Sequence, residues 1–196
     1  MRLNDSLRAE LRQEVKAERF DITPEGVYFP RNGININGEY FARVNGGGWE
    51  KEGDNLVVNE GLVHVLNVAL GATAKPAGYF LALFSGSTTP AANWTAASFA
   101  AVANEIVSQT EGYTGATRPA WTPAAATAGS IDNLASAAQM TIATTGTLNV
   151  TGAALLTNSQ RGGTTGVLVS ASAFAAPRVF QAGDLYELGY RLNATV

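Results

Sequence analysis

The stretch Tyr186-Glu187-Leu188-Gly189-Tyr190-Arg191-Leu192, near the C-terminus, gives the clearest indication of the fold. Its large apolar side chains recur at every second position, and the charged Glu187 and Arg191 stand between them. A period of two predicts a β-strand that turns one face to a core and the other face to solvent. We therefore expect a half-buried strand over residues 185–192.

Other short strand candidates precede this one, separated by clusters of Gly, Pro, Asn and Asp. They comprise residues 79–84, 130–133, 139–144, 149–156 and 166–172. Several short strands without long helices between them are typical of an antiparallel sandwich rather than of a doubly wound parallel sheet. The sequence therefore predicts a mainly β fold, with an antiparallel β-sandwich body over residues 57–196.

One helix is expected inside this body, from Asn59 to Gly71. Apolar side chains cover most of its circumference, and a helix that is apolar nearly all round is usually buried. His64, the only histidine of the chain, lies on this helix. We expect it to be a packed or interface histidine rather than a catalytic base, because no catalytic partner stands near it in the sequence.

The first 56 residues differ from the body in their charge, since they carry 18 of the 29 charged side chains. After Asp5 and Ser6, which can cap a helix, the pattern predicts a helical arm to about Arg19. Its candidate anchor residues are an apolar stripe, an acidic flank and a basic flank: Leu7, Leu11 and Val15; Glu10, Glu14 and Glu18; Arg8, Arg12 and Lys16. Like charges four residues apart weaken an isolated helix, so this helix gains if its flanks meet those of a neighbouring subunit. A solvated, partly frayed helix is the alternative.

Between this helix and the body, the sequence predicts a hairpin-rich linker. Helix breakers occur from residue 24 onward, and short alternating segments follow at 34–36, 39–44 and 56–58. The linker contains aromatic residues suited to burial against a partner, with Trp49 as a further anchor candidate: Tyr28, Phe29, Tyr40, Phe41 and Trp49. Packing within the chain is the alternative for these rings. We thus expect an anchoring arm over residues 1–56 and a body over residues 57–196.

The composition argues against several classes of function. The chain has no cysteine and a single histidine, which excludes disulfides, thiolate metal sites and a multi-histidine metal site within one chain. The net charge of −3 and the mixed flanks of the arm argue against nucleic-acid binding. The glycine-rich loop of residues 161–166 lacks the lysine of a phosphate-binding loop and is expected to join two strands. We expect neither an export signal nor a membrane span, and no catalytic, cofactor or metal site, and hence no enzyme.

Several motifs resemble those of structural proteins from tailed bacteriophages. They are the segments 55–70 and 79–85, the strand end Phe84-Ser85-Gly86, the element Tyr113-Thr114-Gly115-Ala116-Thr117-Arg118-Pro119-Ala120-Trp121, and the loop Gly162 to Gly166. The resemblance covers about residues 55–196. It implies a virion protein that assembles in the cytoplasm of the host bacterium.

Within this class, our hypothesis is a neck or collar component around the head-to-tail connector, bound by its arm. Its partners would be copies of itself and other virion proteins, such as the portal or connector, the major capsid protein or tail proteins. A capsid decoration protein is the first alternative, and a host-binding fibre or tail component is the second. A carbohydrate-binding module, with Trp94 and Trp121 as ring platforms, remains open as a function of another class.

Overall fold

The structure is a computed structural model that describes residues 20–22, 28–30 and 34–195. The predicted helical arm, with the anchor candidates from Leu7 to Glu18, lies outside the described residues. The chain divides into two units, one of residues 1–35 with 195–196 and one of Ile36–Ala194. In the first unit, β1 (Phe20–Ile22) pairs with β2 (Tyr28–Pro30) in an antiparallel ladder.

The second unit contains ten strands and two α-helices among its described residues. In chain order they are β3 (Asn35–Val44), β4 (Glu50–Val57), α1 (Asn59–Ala69), β5 (Tyr79–Phe84), α2 (Ala96–Ala103), β6 (Gly112–Tyr113), β7 (Ala120–Trp121), β8 (Ser130–Asp132), β9 (Ala138–Ala143), β10 (Leu148–Leu156), β11 (Leu168–Phe180) and β12 (Leu185–Thr195). A short 3₁₀ helix, Leu134–Ser136, precedes β9. The prediction of a mainly β fold with antiparallel pairing is confirmed.

These strands form one sheet in the order β6-β9-β12-β3-β4-β11-β10-β5-β7, and β8 pairs with β12. A contact between distant strands shows that the sheet curls. Trp121 of β7, at one end of this order, packs on Tyr190 of β12, with ring centroids 5.8 Å apart. The Trp121 indole Nε1–H also donates to the Tyr190 carbonyl at 3.0 Å. The ten strands β3 to β12 therefore make one continuous curled sheet around a core, whereas an antiparallel β-sandwich was expected.

The main core lies inside this curl and includes the predicted apolar face of β12. Tyr186, Leu188 and Tyr190 are fully buried there, as their alternation predicts. Glu187 on the other face was expected to meet solvent, but it is also buried because it is bonded to Arg43 of β3. Tyr40 of β3 is buried with the three apolar side chains, 4.7 Å from the Tyr190 ring, so it is not an exposed linker residue. β3 and β4 were predicted as linker, but both belong to the sheet and to the compact unit that begins at Ile36.

The two helices differ in how much of their surface they bury. α2 begins with a capping box of Thr95 and Ser98 and packs Phe99 edge-on against Phe84 in a second apolar cluster. α1 occurs where the sequence predicts it, but only Gly61 and His64 of its residues are buried. The prediction of a buried helix at this position is therefore wrong within the single chain, because the sheet covers one narrow side of α1.

Candidate functional site

Almost all charged side chains of residues 34–195 are already bound within the chain. Arginine–carboxylate pairs join β3 to β12, β11 to β4, and β12 to β8: Arg43–Glu187, Arg178–Glu52 and Arg191–Asp132. Carboxylates without such a pair accept from backbone N–H groups: Glu60, Glu111 and Asp184. Among the charged residues of the range 34–195, Lys75 alone makes neither an ion pair nor a hydrogen bond.

The most deeply buried of these pairs joins Arg118 to Glu105. The guanidinium donates to both carboxylate oxygens, at 2.6 and 2.7 Å, and the two side chains are 0% and 1% exposed. Arg118 also donates to the carbonyl of Asn158, and the N–H of Gly162 donates to Glu105 at 3.0 Å. The arginine of the 113–121 motif and the glycine-rich loop are thus held together by one buried carboxylate.

Arg161 completes this network and explains the role of the glycine-rich loop. Its guanidinium stacks 3.7 Å from the centre of the Tyr113 ring. It donates to backbone carbonyl oxygens of two short segments of the chain, in residues 106–108 and 113–115: Ile106, Ser108, Tyr113 and Gly115. Because the side chain is buried and both terminal nitrogens are bonded to these carbonyls, the loop presents no free cation to a phosphate. It joins β10 to β11, as the sequence predicts.

Burial and ion pairing shift the pKa values of several titratable groups in the body. Burial raises the pKa of Tyr113 and of Tyr190 to about 12, so both phenols stay protonated at neutral pH. The Arg43 guanidinium, bonded to Glu187, lowers the pKa of that carboxyl below its usual value. The described residues contain no cluster of three or more His, Cys, Asp or Glu that could hold a metal ion.

His64 faces the sheet from α1, and its Nε2 lies 3.0 Å from the Tyr79 hydroxyl oxygen. Burial lowers the pKa of the imidazole below the ordinary 6.5, although Glu60 acts in the opposite direction. As pH falls through 6.5, the unfolded chain takes up this proton before the folded chain does. The contribution of His64 therefore reduces the stability of the fold on the acid side of that pH.

We expect the imidazole of His64 to titrate below pH 6.5 in the folded protein, because burial disfavours its charged form. The chain has one histidine, so a single imidazole signal in a proton NMR titration reports it. Tyr79→Phe is the control, since it removes the hydroxyl contact while the ring still covers the imidazole, and its titration should stay below 6.5. A wild-type midpoint at or above 6.5 would contradict the effect of burial.

The outer side of α1 forms an exposed apolar patch, which we call the α1 surface. It consists of Leu62, Val63, Leu66 and Leu70, with exposed fractions of 38%, 58%, 54% and 85%. Leu62, Leu66 and the C-cap residue Leu70 follow one another at intervals of four residues, and Val63 lies three residues before Leu66, so the four side chains form one stripe. The one charged residue of α1, Glu60, turns its carboxylate to the N–H groups of Ala96 and Leu168. The α1 surface is therefore apolar without an adjoining free charge on its own helix.

An apolar cavity of about 570 Å³ opens beside α1, and we call it the Trp121 cavity. The helix contributes Val65 and Val68, the sheet contributes Tyr79 and Trp121, and Lys75 also lines it. The polar atoms of the two rings are engaged within the protein, by His64 for Tyr79 and by the Tyr190 carbonyl for Trp121. The rings thus offer mainly carbon surface, and Lys75 is the charged group of the lining.

The described tryptophans do not form exposed platforms. Trp49, the anchor candidate within the described residues, is half-buried under the Arg43 guanidinium, 4.8 Å from its ring centre. Trp94 and Trp121 are only 6% and 8% exposed. Flat ring faces of the kind that stack on sugars are therefore not presented by these three side chains.

Sequence reasoning missed the α1 surface and Lys75. A signal for Lys75 was present, because it is the only charged residue between positions 61 and 104. The apolar residues of the α1 surface are also visible in the sequence. The sequence of a helix that is apolar on most sides does not show, however, which of these side chains another element covers.

No described helix has the length and apolar character needed to cross a membrane. Comparison with known proteins finds no protein-family model that matches the chain, and no curated protein sequence that matches it either.

Proposed function

We propose that the chain is a non-enzymatic structural protein of a tailed-bacteriophage virion, a neck or collar component attached around the head-to-tail connector. The observation that carries the proposal is the α1 surface on a body whose charges are nearly all bound internally. Large exposed apolar patches mark surfaces that other proteins cover. Few free charges remain on this body to oppose such contact.

The buried charged side chains bond the backbone of loops, which also supports a role in assembly over a role in catalysis. The buried Glu105, Arg118 and Arg161 hold loops of the body in place by bonding one, two and four backbone groups, respectively. A rigid body of this kind suits a subunit that repeats in a ring, because each copy then offers the same surface to its neighbour. The motif resemblance to phage structural proteins supports the virion assignment.

The number of copies per virion tests the collar assignment directly. We expect one ring or a few rings of subunits per particle, because a collar surrounds a single connector at one vertex. Quantitative mass spectrometry of purified particles, scaled to the portal protein, measures this number. Hundreds of copies per particle would favour the capsid decoration protein, and absence from particles would contradict a virion role altogether.

A charge placed on the α1 surface should weaken subunit association. Val63→Asp is expected to raise the dissociation constant of the self-associated full chain by at least about tenfold, since a carboxylate must then be desolvated at the contact. Sedimentation velocity over a concentration series measures this change. The matched control is Val179→Asp on β11, because Val63 and Val179 are 58% and 60% exposed.

The control variant should associate like the wild-type chain. If the two substitutions weaken association equally, the effect is not specific to the α1 surface. If Val63→Asp does not weaken association, the α1 surface is not part of the subunit contact. Circular dichroism of both variants confirms that the fold is retained.

A further inference from the structure

Lys75 is an unusual charge in this chain. It is exposed, it makes no ion pair or hydrogen bond within the described residues, and it lines the Trp121 cavity. The other described lysine, Lys51, is bonded to Glu39 and Asp54. Lys75 is therefore the one unpaired lysine within residues 34–195, and its positive charge beside an apolar cavity would favour an anionic ligand.

The cavity itself has the size and lining of a ligand site. Its volume of about 570 Å³ falls within the ~300–1,000 Å³ typical of small-molecule pockets. Its walls come from α1, the sheet and the segment before β5, and aliphatic side chains from the core close its floor: Leu155, Val169 and Leu192. Binding of an apolar chain or ring to such a lining is favourable because it removes apolar surface from water, which binding of a polar molecule does to a smaller extent.

We propose that the Trp121 cavity binds a single-chain anionic amphiphile, with its apolar chain against Trp121 and Tyr79 and its head group at the Lys75 ammonium. Charge complementarity favours an anion over a neutral or cationic amphiphile. The one acidic residue of α1, Glu60, is bonded to two backbone N–H groups and makes no ion pair with Lys75. This inference is independent of the virion assignment.

Calorimetric titration of the unassembled full chain with decanoate, below the concentration at which it forms micelles, tests this site. We expect one decanoate per chain, bound about fivefold more tightly than decan-1-ol and more tightly still than decyltrimethylammonium. Lys75→Glu should weaken decanoate binding by about tenfold or more and reverse the preference in favour of the cation. Because Lys75 is exposed, the variant should keep the fold, which circular dichroism checks.

A second pair of variants locates the site. Ala69 lines the cavity and is exposed, so Ala69→Trp should fill the entrance and abolish decanoate binding. Ala72→Trp is the matched control, since Ala72 is exposed but does not line the cavity, and it should bind like the wild-type chain. The proposal is overturned if the wild-type chain does not bind decanoate, if Ala69→Trp binds it normally, or if Lys75→Glu leaves the charge preference unchanged.

Discussion

Arg118→Ala is expected to lower the free energy of unfolding by about 3–5 kcal/mol, because it leaves the Glu105 carboxylate buried without its countercharge. The substitution also removes the bond from Arg118 to the Asn158 carbonyl, so an acceptor in the loop after β10 loses its donor. Urea unfolding followed by tryptophan fluorescence measures the change, since Trp94 and Trp121 are buried in the body. A loss of this size is a large part of the total stability of a typical domain.

Two controls distinguish the cost of leaving a buried charge unpaired from the cost of losing side-chain contacts in general. In the double variant Arg118→Met with Glu105→Met no charge is left unpaired, so the double variant should be more stable than Arg118→Ala alone. Lys51→Ala removes an exposed cation from its pair with Glu39 and should cost less than about 1 kcal/mol. If Arg118→Ala costs no more than Lys51→Ala, the Glu105–Arg118 pair does not hold the loops together.

The position of this pair could not be read from the sequence. Glu105 and Arg118 lie 13 residues apart on loops, and charged residues are almost never fully buried unless they are paired. Nothing local in the chain distinguishes these two residues from solvated ones. Their burial follows from the close approach of the loop that carries Gly162, which is distant in sequence and depends on the pairing of β10 with β11.

The strands show where sequence reasoning succeeds. The alternation of β12 predicts its buried face because side-chain direction along a strand is a local property. Tyr40 was expected in a linker, because the local pattern of β3 predicts a short hairpin but does not identify the distant strand that pairs with β3. β3 lies beside β12 in the sheet, far along the chain, and that pairing brings Tyr40 to Tyr190.

α1 shows the corresponding limit for helices. Its apolar pattern predicts the helix correctly, but burial depends on how much of the helix another layer covers. Gly61 lies directly against the backbone of Val169 on β11, and the contact is narrow because the glycine has no side chain. The opposite side, with Leu66 and Leu70, is left without cover in the single chain.

Gly61→Ala is expected to destabilise the fold by about 1–3 kcal/mol, although helix propensity alone favours the substitution. In an exposed helix, alanine is about 1 kcal/mol more favourable than glycine. A Cβ at Gly61 would however overlap the carbonyl oxygen of Val169, and backbone atoms on both sides must then move apart. Overpacking of this kind typically costs about 1–3 kcal/mol. Urea unfolding at constant pH measures the difference.

The sign of the change in unfolding free energy for Gly61→Ala shows whether Gly61 lies in a close helix–sheet contact or at an ordinary helix position. Asn67→Ala is the control, because Asn67 lies in the same helix and is exposed, so alanine there should leave stability unchanged or raise it slightly. If both substitutions stabilise the protein, α1 does not rest on Val169. A loss at Gly61 together with no loss at Asn67 means that the glycine sets the distance of α1 from β11. Because Gly61 faces β11, the opposite side of α1 is the one that stays exposed as the α1 surface.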